Sequence, residues 1–203
     1  MINQLLDKID IMLCGSGVLS CAKWDKIKGH KPLNLYAGRL PRGETQFQDY
    51  IGLAYNSGSL RNINHDLTKT FPLEDSVVDR FQSQDVFEHI EYSKLPAVFA
   101  EIYRVLKPGS LFRLSVPDYR SPVYYQRSLM DEAGEICFDP GGGGSFEAGK
   151  VVDGGHVWFP RYESVKMLFD DSSFATEGSF EFKHYIGDQG NSVMSEIDHD
   201  LGL

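Results

Sequence analysis

Residues 93–116 decide the fold, and they read SKLPAVFAEIYRVLKPGSLFRLSV. Their apolar side chains recur every three or four residues, as on the buried face of an amphipathic helix: Leu95, Val98, Phe99, Ile102, Val105 and Leu106. The pattern predicts a helix over Ser93–Lys107, capped at its first residue and ended by Pro108 and Gly109. The β-rich stretch Ser110–Val116 then predicts a strand.

Further strands are predicted on the N-terminal side of this helix. They cover Leu33–Gly38, Tyr50–Ala54, Asn62–Asp66 and Val78–Ser83, and a helix is expected to begin near Asp85. A strand, a helix and a strand in that order form a βαβ unit, whose strands are parallel. We therefore predict a Rossmann-like three-layer α/β/α fold with a mostly parallel sheet.

The remaining segments are expected to belong to the same single domain, over residues 1–203. Residues 1–30 predict an N-terminal helical segment with a break in it, and Tyr162–Asp170 predicts a further helix. Residues 119–160 show no convincing period, so we expect a lid without regular structure, with a flexible hinge at Gly141–Gly144. Phe180–Tyr185 predicts the last strand.

Composition bounds the function. The chain has 203 residues, and 29 acidic against 20 basic side chains give a net charge of -9, which disfavours a nucleic-acid partner. Cys14, Cys21 and Cys137 lack the paired spacing of a zinc site, so we expect no metal, and their odd number favours a reducing, cytoplasmic location. The apolar stretch Ile11–Leu19 is too short to span a membrane.

Four motifs carry a resemblance to a known family. They are Asn64–Thr68 (NHDLT), Phe71–Asp79 (FPLEDSVVD), Asp85–Ile90 (DVFEHI) and Arg104–Ser110 (RVLKPGS). Together they resemble the class I, seven-stranded methyltransferases of the type 11 group, which use S-adenosylmethionine. The resemblance covers residues 31–186 and is strongest over Asn64–Tyr119.

The resemblance implies a cofactor site at the carboxyl ends of the strands, where open α/β sheets bind ligands. Carried over by position, it places the glycine turn at Ala37 and Gly38 and the adenine-facing carboxylate at Asp66, with Leu67 beside it. It places the wall of the site at the end of the fourth strand. The residues there are Ser83 and Gln84. The implied substrate is a small-molecule, carbohydrate or lipid-precursor acceptor.

Two positions depart from the family pattern. The usual glycine turn has an acidic residue and three glycines, whereas this chain has Asn34 at the acidic position and keeps only Gly38. Where the family has an Asp or Glu that accepts hydrogen bonds from the ribose hydroxyls, this chain has Ala54, so that contact is absent unless Asn56 or Glu44 replaces it. Loss of a charge-assisted hydrogen bond costs about 1.5–3 kcal/mol, which is about one to two decades of affinity.

A third departure concerns the last strand. The family closes its sheet with an antiparallel seventh strand, but the sequence after Tyr185 shows no apolar alternation. We therefore expect that strand to be missing. Because an unpaired edge invites association, we expect a homodimer that covers it, or cover from the N-terminal segment.

Three residues are candidates for catalysis. His156 could accept a proton from an acceptor hydroxyl, or it could pack as a loop residue on Trp158. Asp85 could be catalytic or could cap a helix. Asp118 could face the acceptor or could only turn the chain, and His89 could border the methyl site or be structural.

Three functions follow from these observations. The leading hypothesis is a methyltransferase that uses S-adenosylmethionine. The second is a methyltransferase-like fold that has lost catalysis and acts as a binding or assembly module, as the altered glycine turn and Ala54 suggest. The third is a Rossmann-type enzyme with a nicotinamide cofactor, which the absence of a Gly-x-Gly-x-x-Gly turn disfavours.

Overall fold

The computed structural model describes residues 2–16, 21–41, 43–56, 58–177 and 180–196. Its contacts divide the chain into two compact units. Of the described residues, those within 2–84 and 100–114 belong to unit 1, and those within 85–99 and 115–196 belong to unit 2.

A five-stranded sheet has its first four strands in unit 1. The strands are β1 (Asn34–Ala37), β2 (Tyr50–Ala54), β3 (Asn62–Asn64), β4 (Val78–Gln84) and β5 (Leu106–Ser115), in the order β3-β2-β1-β4-β5. The pairs β1–β2, β1–β4 and β2–β3 are parallel. All four residues of β1 are buried, as expected for a central strand that is covered on both faces. This architecture confirms the Rossmann-like α/β class.

Aromatic rings fill much of the core of unit 1. Phe81, from β4, lies 6.0 Å from the stacked ring of Phe71 and 5.8 Å from the edge-on ring of Phe112, between ring centroids. A second cluster contains Tyr36, Leu40, Phe47 and Tyr50, all of them buried. Such aromatic contacts add directional packing to simple apolar burial.

Two helices precede the sheet in the sequence. They are α1 (Ile2–Gly15) and α2 (Trp24–Ile27). Both helices lie in the segment that was predicted to be helical, but α2 begins at Trp24, where the second predicted helix was expected to end. Residues 17–20, between the two helices, lie outside the described residues. No helix in the described part of the chain is long and apolar enough to cross a membrane.

Helix α3 (Leu95–Val105) is shorter at both ends than predicted. Ser93 does not cap it, because Tyr92–Lys94 forms a 3₁₀ turn that leads into the helix. Leu106 and Lys107 already belong to β5. A residue that precedes proline is pushed toward extended backbone, so Lys107 cannot continue the helix before Pro108.

The helix predicted near Asp85 does not form. Asp85 has a φ of 50°, in the left-handed region, and a 3₁₀ turn over Phe87–His89 follows it. The suggested role of Asp85 as a helix cap is therefore wrong.

In unit 2, residues 119–160 contain one α-helix and four short strands, so the prediction of a segment without regular structure is wrong. The elements are α4 (Pro122–Arg127), β6 (Leu129–Met130), β7 (Ile136–Phe138), β8 (Ser145–Glu147) and β9 (Lys150–Val152). Strands β6 and β7 form one antiparallel pair, and β8 and β9 form another. Ala148 and Gly149 both have positive φ, as a two-residue type I′ hairpin turn requires.

The C-terminal part of unit 2 holds two helices and a hairpin. Helix α5 (Tyr162–Asp170) has the predicted bounds, and α6 (Ser173–Glu177) follows it. Strands β10 (His184–Ile186) and β11 (Ser192–Met194) pair only with each other. The prediction of a strand over Phe180–Tyr185 is thus wrong in extent, and the described residues add no sixth or seventh strand to the five-stranded sheet.

Candidate functional site

The carboxyl ends of three neighbouring strands in unit 1 carry the predicted cofactor residues. Ala37, at the end of β1, lies opposite Ser83 of β4 and Leu53 of β2. Ala54 ends β2. Ala37, Ala54 and Ser83 are all buried. The structure therefore brings these predicted residues to one edge of the sheet.

The turn after β1 is built by a glycine and a side-chain clamp. Gly38 has a φ of 94°, and its N–H donates to the Leu53 carbonyl at 2.9 Å. Asn62 Oδ1 accepts from the Leu40 N–H at 2.9 Å, and a Cβ at Gly52 would lie 2.1 Å from that same oxygen. Asn62 thus holds the chain just after Gly38, and its side chain fits there because residue 52 is a glycine.

Tyr36 stands two residues before Gly38, within the stretch that aligns with the glycine turn of the family. Tyr36 is buried, and its ring lies 5.1 Å from that of Phe47. Its hydroxyl donates to Gln84 Oε1 at 3.4 Å. The predicted residue Gln84 therefore contacts the altered turn.

Asp66 is held in a local turn. Its Oδ1 accepts from the Thr68 N–H at 2.9 Å and from the Thr68 hydroxyl at 2.8 Å. Partial burial raises the pKa of Asp66, but the Thr68 hydrogen bonds outweigh burial and leave the pKa below its ordinary value. Leu67 is buried beside it. The turn role of Asp66 is thus observed, and its role toward adenine stays a prediction.

One buried polar group at this edge is available to a ligand, whereas the predicted ribose position offers no acceptor. Ser83 Oγ is buried without a hydrogen-bond partner in the described residues, as in a site that a ligand or water completes. The Ala54 methyl group offers no acceptor. Asn56 and Glu44 are both exposed, and Glu44 already accepts a hydrogen bond from Gln46 at 2.9 Å.

A cavity of about 500 Å³ lies elsewhere in unit 1. Its lining includes Cys14, Cys21, Trp24, Ile63 and Asn64. None of the predicted cofactor residues lines it, so this cavity does not mark the site that the sequence predicts.

Unit 2 contains a cluster of ionisable side chains around His156. His156 Nε2 lies 3.7 Å from Glu88 Oε1, and the His156 and His89 rings are 4.6 Å apart, edge to face. Glu88 is fully buried and His156 nearly so, whereas His89 is exposed. Two backbone contacts hold the chain segments together here: the Val157 N–H donates to the Glu88 carbonyl, and Trp158 Nε1 donates to the Phe87 carbonyl.

A buried chain of polar groups orients His156. Tyr119 donates its hydroxyl to Asp139 Oδ2 at 2.7 Å, and the same hydroxyl oxygen lies 2.5 Å from His156 Nδ1. Arg127 grips both oxygens of Asp139, through Nε at 2.7 Å and Nη2 at 2.6 Å. This bidentate ion pair fixes the carboxylate that positions Tyr119.

Burial shifts the protonation of the cluster. It raises the pKa of Glu88 to about 8 and lowers the pKa of His156 to about 4, to which the charge of His89 contributes. Burial and the Asp139 hydrogen bond raise the pKa of Tyr119. Burial alone would raise the pKa of Asp139, but hydrogen bonds from Arg127, Tyr119 and Gly141 hold it below its ordinary value. At neutral pH His156 is therefore a neutral imidazole.

The glycine run beside this cluster is a packing feature. A Cβ at Gly141 would lie 2.3 Å from Arg127 Cζ, and one at Gly142 would lie 2.6 Å from His156 Cγ. Pro140–Gly142 forms a 3₁₀ turn, and Asp139 Oδ1 accepts from the Gly141 N–H at 2.8 Å. Gly141 therefore packs closely against Arg127, and Gly142 packs closely against His156.

Two further residues, Asp118 and Asp85, were predicted to be catalytic. Neither has a described hydrogen bond or ion pair with His156. Asp118 Oδ1 accepts from the Arg120 N–H and its Oδ2 from the Ile186 N–H, at 2.9 and 2.8 Å. Asp85 is exposed. The sequence reasoning missed Glu88, Asp139 and Arg127. Glu88 stands in the DVFEHI motif, beside His89, and that adjacency was the available signal.

Comparisons with known proteins agree with the fold and the motifs. The family model of the type 11 methyltransferase domain matches residues 37–114. The chain is also similar to a crystal structure titled as a SAM-dependent methyltransferase from Methanosarcina mazei, at 14% identity and a TM-score of 0.50. That similarity covers 86% of this chain and 94% of the other. No curated protein matches the sequence.

The domain match and the sheet order point to the same family. The matched residues begin at the end of β1 and run to β5, so they include the strand ends at which the cofactor residues were predicted. Residues 37–114 thus match a methyltransferase domain, and the cofactor that this match implies is S-adenosylmethionine.

Proposed function

We propose that the chain transfers the methyl group to an oxygen, nitrogen or carbon atom of a small molecule or of a carbohydrate or lipid precursor. The observation that carries this proposal is the meeting of Ala37, Ala54 and Ser83 at the carboxyl edge of a β3-β2-β1-β4-β5 sheet. Ligands bind at that edge in open α/β sheets. The net charge of -9 disfavours an acceptor with a phosphate backbone.

Residues of unit 1 would bind the cofactor. Asp66 and Leu67 would hold the adenine, and Gly38 would allow close approach of the backbone after β1. When bound, S-adenosylmethionine supplies a methyl group on a sulfonium centre. Because the reactivity lies in the cofactor, the protein contributes mainly by holding donor and acceptor in line.

His156 is the best placed of the candidate catalytic residues. It is a buried, neutral imidazole whose Nδ1 is fixed by Tyr119. Such an imidazole can accept a proton through Nε2 from an acceptor hydroxyl. Asp85 and Asp118 remain candidates, but both oxygens of Asp118 are already used by backbone amides.

Calorimetric titration with S-adenosylmethionine and with its demethylated product tests the cofactor site. Asp66→Asn is the informative variant, because its amide oxygen can still accept the Thr68 hydrogen bonds while the charge is lost. We expect binding at tens of micromolar or tighter, weakened at least tenfold in the variant. Asp25→Asn, at an exposed carboxylate of unit 1, is the control and should bind normally.

Failure to bind would favour the second candidate function. The absence of a carboxylate at Ala54 is the observation behind it. If millimolar cofactor gives neither heat nor a thermal shift with the folded protein, the chain acts as a binding or assembly module instead.

A further inference from the structure

We propose that Glu88, His89 and His156 form a binding site for a divalent transition-metal ion, of the kind that Zn²⁺ occupies. One ligand atom from each of the three side chains lies within 4.8 Å of the others. All three residues belong to unit 2. The inference goes beyond the proposed methyl transfer. A metal ion on His156 Nε2 would use the lone pair that the proposed proton transfer requires, so the two roles are alternatives for that nitrogen.

Glu88 is the first argument. Its side chain is fully buried, and neither carboxylate oxygen has a hydrogen-bond partner in another residue of the described chain. A buried carboxylate without partners is costly, and such a group in a native protein calls for an ion or water to complete it. His156 Nε2 lies 3.7 Å from Oε1, which is too far for a hydrogen bond.

The tautomers of the two histidines are the second argument. His89 Nδ1 faces the Gly154 carbonyl at 2.8 Å, and a carbonyl can only accept, so this nitrogen carries the proton. Tyr119 gives its one hydroxyl proton to Asp139, so His156 Nδ1 must donate to the Tyr119 oxygen. The neutral form of each ring then has its proton on Nδ1 and leaves Nε2 unprotonated, which is the form that binds metals.

The surroundings resemble the outer shell of a metal centre. Metal-binding histidines commonly donate their second ring nitrogen to a backbone carbonyl or to a group held by a carboxylate, which fixes the ring. His89 does the former through Gly154. His156 does the latter through Tyr119, Asp139 and Arg127.

Two nitrogens and one carboxylate suit zinc and similar first-row ions better than Ca²⁺ or Mg²⁺, which prefer oxygen ligands. Tetrahedral zinc holds neighbouring ligand atoms about 3.3 Å apart. The 3.7 Å between His156 and Glu88 is already close to that value. The exposed His89 side chain is the one that can move to close the site, and three protein ligands leave a position open for an oxygen ligand.

Titration with Co²⁺ and Zn²⁺, in the absence of cofactor, tests the site. The protein should carry Cys14→Ser and Cys21→Ser, because these thiols line the cavity of unit 1 and could bind zinc themselves. Co²⁺ is expected to bind one ion per chain with the visible absorption of nitrogen and oxygen ligands, and Zn²⁺ should displace it. Glu88→Gln, His89→Ala and His156→Ala should each weaken binding at least tenfold.

His30→Ala is the matched control, because His30 is an exposed histidine outside the cluster, and it should bind within twofold of the parent. Glu88→Gln keeps the size of the side chain, and circular dichroism verifies that each variant is folded. Equal binding by all variants, or no binding at millimolar ion, would overturn the proposal. Neither result would bear on cofactor binding, which is measured separately.

Discussion

Ala54 offers a direct test of the ribose position. Its methyl group is buried at the end of β2, where the resemblance places a carboxylate. We predict that Ala54→Asp tightens S-adenosylmethionine binding about ten- to hundredfold, since a charge-assisted hydrogen bond contributes about 1.5–3 kcal/mol. Calorimetry of parent and variant measures the change.

Ala54→Asn is the companion variant, because it adds similar volume without the charge. Its gain should be clearly smaller than that of Ala54→Asp. A thermal melt of each variant separates a folding defect from a binding effect. Equal affinity in a folded Ala54→Asp protein would show that the ribose is not held at this position.

Gly142 tests whether the glycine run packs the cluster of unit 2. A Cβ there would lie 2.6 Å from His156 Cγ, and no positive φ complicates the substitution. Gly142→Ala should lower the free energy of unfolding by about 1–3 kcal/mol, as overpacked interiors do. Gly29→Ala, where a Cβ would meet nothing within 4 Å, should change stability little in the same urea titration. If the two variants behaved alike, the close packing around His156 would be refuted.

The sequence predicts the strand-end residues better than the cluster around His156. The family resemblance implies Ala37, Ala54 and Ser83, and the predicted strands place them together because parallel strands end at a common edge. Glu88 and His156 are far apart in sequence, and no local pattern reports that the chain folds one against the other. The expectation of no metal considered only cysteine spacing, which says nothing about a histidine and carboxylate cluster.

Asp79 links three segments of the sheet and gives it a pH dependence. Its Oδ2 accepts from the Leu33 N–H at 2.9 Å, and its Oδ1 pairs with Lys107 Nζ of β5 at 2.6 Å. The hydrogen bond from Lys107 lowers the pKa of Asp79, and the Leu33 N–H lowers it further. Burial raises this pKa, but by less. A lowered folded-state pKa means that this stabilisation is complete above the ordinary value of 3.8 and is lost as pH falls through the lowered value.

We therefore predict that Asp79→Asn reduces the free energy of unfolding by about 1 kcal/mol at pH 7 and by less at pH 3. Urea titrations at several pH values between 3 and 7 measure both effects. Asp188→Asn, at an exposed carboxylate, is the control. An equal loss for Asp79→Asn at every pH would contradict the linkage to this carboxylate.

Element length explains which parts of the fold could be predicted. Helix α5 has nine residues and a clear apolar face, and its predicted bounds are confirmed. Strands β6 to β9 have two or three residues each, too few to show alternation. The hairpin turn at Ala148 and Gly149 escaped prediction because Ala148 adopts a positive φ that alanine rarely takes.

The assembly of the whole chain follows from its sheet edges. Strands β3 and β5 are the outer strands, and each has one neighbour in the five-stranded sheet. Unpaired edges invite association, so we propose that a second copy of the chain covers β5, the longest strand of the sheet. Light scattering should then give twice the 22.9 kDa of the chain.

Hydrogen exchange locates the contact in the same samples. Raising the protein concentration should protect the amides of β5 (Leu106–Ser115), because dimer pairing hydrogen-bonds them, while α5 (Tyr162–Asp170) serves as an internal reference. Protection confined to other segments would place the interface elsewhere. A monomeric mass at every concentration would show that no second copy covers the edge of β5.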